Sequence, residues 1–237
     1  MKHSLPSLLR VLAAALCVTG TASAATLFSN MAQTQDEGYA LYSGGSMINA
    51  SDFRTGASAM TITSVTLPLW NGDDINHTLT PSIYTDSGGL PGTLVGTLSS
   101  VTIPSSDPFT PSYANYTATS TGITLAANTN YWMTAKNSEG FDLPFYLVWG
   151  TTASNATDGG SVFSTVSATP LKLSTNNGSS WSTVSSTNNA MFSLTGSLAA
   201  APEPSRALLA GLGLGGLMLR RRRSVPGMPD LPTCRGS

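Results

Sequence analysis

The chain has 237 residues, of which 41% are hydrophobic and only 10% charged, against roughly 25% charged in an ordinary soluble domain. Its polarity is carried by hydroxyls, since Ser and Thr supply 64 residues beside 23 Gly and 14 Pro, a composition poor in helix formers and rich in strand and turn formers. The net charge of −1 hides an asymmetry: between residues 25 and 201 only Arg54, Lys136 and Lys172 stand against ten carboxylates, a net of −7 that excludes a phosphate-tracking nucleic-acid surface.

Residues 1–24 have the order of a secretory signal. Lys2 and Arg10 give a basic start, residues 11–18 an apolar run, and Ala22-Ser23-Ala24 a small-residue cleavage site. Cleavage is expected between Ala24 and Ala25, because the apolar run is well short of the roughly 20 residues that span a bilayer. Cys17 lies in this segment and Cys234 in the distal tail, so the body between them has no thiol. An exported domain without disulfides relies on its own core, and about 175 residues suffice for one.

From residue 25 to 200 the apolar pattern has period two, in short runs separated by turn residues, with no sustained helical series. Strands are predicted over 26–31, 65–69, 78–85, 93–103, 114–119, 123–125, 131–136, 145–149, 161–166, 171–174 and 190–195. Between them lie Asn71-Gly72-Asp73, the run from Asp86 to Gly92, Asn128-Thr129-Asn130, Asp158-Gly159-Gly160 and Asn176-Asn177-Gly178, all with turn chemistry. About ten short strands in one domain predict an all-β, jelly-roll-like sandwich. Residues 33–56 are less regular and are expected to wrap an edge.

The body offers little catalytic chemistry. His77 is its only histidine, read here as a solvated loop residue beside Asp73 and Asp74, and no nucleophile elbow, zinc-binding histidine pair or phosphate loop is present. Asp86, Asp142 and Asp158 sit beside turn residues, where local hydrogen bonding explains them. No cofactor is expected; Asp73, Asp74 and Asp158 are the candidates for a weak calcium site. Trp132 falls on the opposite strand face from Tyr131 and Met133, so Trp132 and Trp181 are the candidates for an exposed sugar-stacking surface.

Past the body, Ala201-Pro202-Glu203-Pro204-Ser205 leads into an apolar run at 207–219 and then Arg220, Arg221, Arg222 and Arg223. The prolines keep the linker out of a helix. The apolar run can enter a bilayer while the arginines hold the cytoplasmic side. Its thirteen residues make a helix of roughly 20 Å against a hydrocarbon core of about 30 Å, a marginal span suited to a temporary hold. Residues 224–237 are expected to form a disordered tail.

This order, Pro202-Glu203-Pro204, short hydrophobic helix, Arg220 to Arg223, resembles the PEP-CTERM sorting signal of exported Gram-negative bacterial proteins. The resemblance implies that an exosortase-type membrane protease recognises Pro202, Glu203 and Pro204, that Arg220 to Arg223 stop transfer, and that the chain passes from the inner membrane to the cell surface or the extracellular matrix. The body, through residues 62–69, Ile83-Tyr84-Thr85-Asp86, Gly88-Gly89-Leu90-Pro91-Gly92, the run from Ile123 to Asn128, Tyr131-Trp132 and Trp181, resembles the choice-of-anchor domains, which pair a β-sandwich with such signals. The expected function is a non-enzymatic surface or biofilm-matrix protein that meets extracellular polysaccharide. The alternative is a carbohydrate-binding module using exposed Trp and Tyr.

Overall fold

A computed structural model describes residues 24–41, 46–107, 109–138, 147–153, 163–164, 171–185 and 188–199, with the backbone alone at Glu37 and at 163–164. The chain divides into two compact units, Met1–Ala199 and Ala200–Ser237; all described residues belong to the first. The expected signal segment before Ala24, the sorting segment from 201 to 223, the tail, and Asp142 and Asp158 lie outside the described residues.

The described body is an all-β sandwich of two antiparallel sheets. The first contains β1 (Ala25–Ser29), β2 (Glu37–Leu41), β4 (Met60–Asn71), β8 (Ala114–Leu125), β10 (Leu147–Thr152), β14 (Asn189–Ala190) and β15 (Ser193–Leu198). The second runs β13 (Ser182–Ser185), β12 (Leu171–Ser174), β3 (Ile48–Thr55), β9 (Asn130–Asn137), β5 (His77–Asp86), β6 (Pro91–Thr97), with β7 (Val101–Ile103) on β5 and β11 (Phe163–Ser164) on β3.

Strand β4 shows why the alternation is only partly visible in the sequence. Met60 and Ile62 are buried at even positions, whereas Val65, Leu67 and Leu69 are buried at odd ones. A register shift between Ile62 and Ser64 against β8 changes the parity, so both halves face the core. β8 makes the matching change, from Ala118 to Ile123 and Leu125. Its irregular stretch is held by the Ser120 hydroxyl, which donates to the Ile62 carbonyl at 2.9 Å, and by Gly122 at φ +126°, a conformation open to glycine. What the sequence presents as two short runs at 114–119 and 123–125 is therefore one bulged strand.

Residues 33–56 also depart from expectation. They do not merely wrap an edge: β3 occupies a central place in the second sheet, paired to β9 from Ile48↔Lys136 to Arg54↔Asn130. The reason is compositional. The inner face of β3 presents Asn49, Ser51 and Phe53 in place of an aliphatic series, so periodicity gave no signal, although all three are buried.

The two sheets meet on an aromatic cluster. Phe192 packs against Phe28 at 4.7 Å and Trp149 at 6.4 Å from the first sheet, and against Phe53 at 5.9 Å from the second. Trp149 satisfies its indole N–H by donating to the Met191 carbonyl at 2.7 Å, which lets it be fully buried. The body closes by pairing its ends: β1 lies antiparallel to β15, with Ala25 opposite Gly196. The buried Asn30 side chain reinforces that closure, accepting from the Phe192 N–H at 2.8 Å and donating to the Ala190 carbonyl at 3.1 Å.

Candidate functional site

Alternation along β3, β9 and β5 puts Asp52, Arg54, Asn130, Trp132, Tyr84 and Asp86 on the face of the second sheet turned away from the core. Registers Asp52↔Trp132, Arg54↔Asn130 and Tyr84↔Trp132 make them cross-strand neighbours. At the end of these strands Arg54, Thr85, Asp86, Asn128, Thr129 and Asn130 line an open depression of about 360 Å³. One side is the β8–β9 turn, where Asn128 has φ +52°, a conformation asparagine tolerates better than other side-chain-bearing residues. The turn is fixed by Asn128 N–H donating to Gly56 O at 2.8 Å and by Thr55, whose hydroxyl accepts from the Thr129 N–H at 2.8 Å.

The electrostatics of this end are unbalanced. Trp132 donates its indole N–H to Asp86 Oδ1 at 2.8 Å, and Gly89 N–H donates to Asp86 Oδ2 at 3.3 Å. Asp52, only 6% exposed, leaves its Oδ1 without a hydrogen bond. Burial pushes its carboxyl up to about 7, opposed by its own backbone N–H, raised again by the nearby Asp86 charge and lowered by Lys172. Among the described residues the side chains of Arg54, Asn128 and Asn130 make no hydrogen bond or ion pair.

Several sequence expectations are corrected here. Trp132 is 1% exposed, with its N–H committed to Asp86, so its ring offers no stacking surface; the outward face of β9 is covered at this position. Trp181 is half-buried beside the Gly178 turn, where a Cβ on that glycine would meet its ring at 3.6 Å. It precedes β13, which β12 and β3 separate from β9, so the two tryptophans form no common platform.

His77 is not a solvated loop residue. It opens β5 fully buried, its Nε2 3.1 Å from Asp73 Oδ2 and its Nδ1 3.0 Å from the Asn137 side-chain amide on β9. The pattern fits an amide N–H donating to Nδ1 and an Nε2–H donating to the carboxylate. Asp73 is itself 1% exposed, and its Oδ1 accepts the Asp74 N–H at 2.7 Å. Both oxygens are thus spent within the fold instead of being open to calcium, while Asp74 is exposed. Among the described residues no group of three or more His, Cys, Asp or Glu is placed to hold a metal.

The depression itself was missed from sequence. Arg54 is one of three cations in the body and alternates with Asp52, and two charges at that spacing in a strand-length run were the available signal.

No protein-family model matches the chain, and no curated protein matches it. Among solved structures, one of the infectious bursal disease virus Gt strain is similar over 86% of this chain and 50% of that chain, at 11% identity and a TM-score of 0.28. The chain thus spans half the length of that neighbour, and a likeness this distant bears on neither fold nor function.

Proposed function

We propose that this is a non-enzymatic exported protein of the cell surface or extracellular matrix, carried out by residues 1–24 and sorted by the segment from 201 to 223. One observation supports the reading best: the first and last described strands pair with each other just inside the two expected cuts. β1 starts at Ala25, immediately after the expected signal cleavage, and pairs with β15, which ends at Leu198, shortly before Pro202-Glu203-Pro204. Neither cut would remove a described strand, so the mature body keeps the β1–β15 pairing and the Asn30 bridge.

Among the described strands the chain changes sheet at eight of fourteen connections, from β2 to β3, β3 to β4, β4 to β5, β7 to β8, β8 to β9, β9 to β10, β10 to β11 and β13 to β14, which supports a jelly-roll-like winding. A hydroxyl-rich, net-acidic body of this kind is soluble and does not adhere to anionic membranes, which suits a matrix.

The test is replacement of Pro202, Glu203 and Pro204 by alanine in the producing cell, followed by fractionation. The reading expects the variant to stay in the inner membrane at full length while the parent reaches the surface or medium. Equal release of both would overturn it.

A further inference from the structure

The polar side chains at the two ends of β5 differ: around His77 they bond within the fold, whereas around Asp86 those of Arg54, Asn128 and Asn130 make no hydrogen bond among the described residues. Arg54 brings the donors of an exposed guanidinium, Asn128 and Asn130 bring one carboxamide each, and Asp86 brings lone pairs beyond the two bonds it accepts. Donors and acceptors stand side by side across three neighbouring strand ends and a turn. A group that both donates and accepts matches such a row, and hydroxyls do. A phosphate or sulfate would meet the Asp86 carboxylate, and an ammonium would meet Arg54.

The next row inward adds an apolar surface. Tyr84 is half-buried and sits opposite Leu94, which is 50% exposed, giving an aromatic edge beside the polar groups. In that same inward row Asp52 stands opposite Trp132, more than nine-tenths buried, with an oxygen that no described group bonds. The depression is open and not enclosed, so a chain can cross it without being swallowed.

We propose that the row Arg54, Asn130 and Asp86, flanked by Asn128 and Tyr84, is a calcium-independent binding site for a neutral glycan chain. This goes beyond the export reading and stands independently of it: glycan binding by the purified chain does not depend on processing near Pro202.

The experiment titrates the purified full-length chain with cellohexaose, xylohexaose and chitohexaose by saturation-transfer NMR and calorimetry, with and without EDTA, and uses oligogalacturonate as the anionic comparison. At least one neutral hexasaccharide is expected to bind with a dissociation constant of 1 mM or tighter on the order-of-magnitude scale of weak recognition. That binding should survive EDTA and weaken about tenfold in Arg54→Ala and in Asn130→Ala, the loss of one good hydrogen-bonding partner. Both variants sit at the strand ends, and an unchanged melting temperature certifies their fold. Absence of binding by all three neutral probes, tighter binding of oligogalacturonate, loss on EDTA, or undiminished binding by both variants would each overturn the proposal.

Discussion

The two ends of β5 carry similar polar residues in opposite states. At the His77 end, Asn71, Asp73, His77 and Asn137 bond to one another and to nearby backbone: Asn71 Nδ2 donates to the carbonyls of Ile75, Ile103 and Pro104 at 2.8 to 3.3 Å, and the Ser106 hydroxyl donates to the Asn71 carbonyl. At the Asp86 end, Arg54, Asn128 and Asn130 have no such bonds and Asp52 keeps an orphaned oxygen. The first set fastens the turn after β4 onto the second sheet. The second contributes little to the fold, which is what a surface kept for a ligand requires. Residue type does not separate the two sets; their hydrogen-bond partners do.

The contrast is most easily broken at the closed end. His77→Ala removes one partner of a buried pair and takes from Asp73 Oδ2 and the Asn137 amide the ring nitrogens they face, so a loss of about 3 to 5 kcal/mol is expected in urea denaturation. A loss below about 1 kcal/mol would mean that this network does not fasten the turn.

The orphaned carboxyl gives the next largest effect, and its sign is fixed. Asp52 in the fold is raised to about 7, so between roughly pH 4 and pH 7 the folded chain holds a proton that the unfolded chain has released. Stability contributed by Asp52 therefore falls as pH rises through that window, by at most about 1.4 kcal/mol per pH unit. Asp52→Asn should flatten that slope and be the more stable form at pH 8, of order 2 kcal/mol by thermal melts across pH. An unchanged slope would place Asp52 in contact with water or an unrecognised donor.

The smallest effect sharpens the comparison from the other side. Arg54→Ala should change stability by less than about 0.5 kcal/mol, since the exposed guanidinium is bonded to nothing described. A larger loss measured by denaturation would make Arg54 a structural residue and remove the distinction between the two ends.

How far these features could be read from the sequence follows from the same physics. Strands with aliphatic alternation, such as 131–136 and 171–174, were legible because one face is core. β4 and β8 were legible only in pieces, because their bulges change parity at Thr63 and near Ser120. β3 was illegible because Asn49 and Ser51 stand where aliphatic residues would mark the inner face. His77 looked solvated because its neighbours in sequence are turn residues; Asn137, which completes its burial, lies 60 positions away. Trp132 was correctly assigned to the face opposite Met133, but alternation says which side a residue takes and not whether that side is covered. The Arg54 row needed three strands in register before its members met.

The most direct test of the central claim, an exported body trimmed to its sandwich, is the intact mass and C-terminal peptide of the protein recovered from the producing cell's membranes, surface wash and medium. The account predicts an extracellular species that starts at Ala25 and ends near Pro202 to Pro204. A membrane-bound species that retains Arg220 to Arg223, with none released, would contradict it.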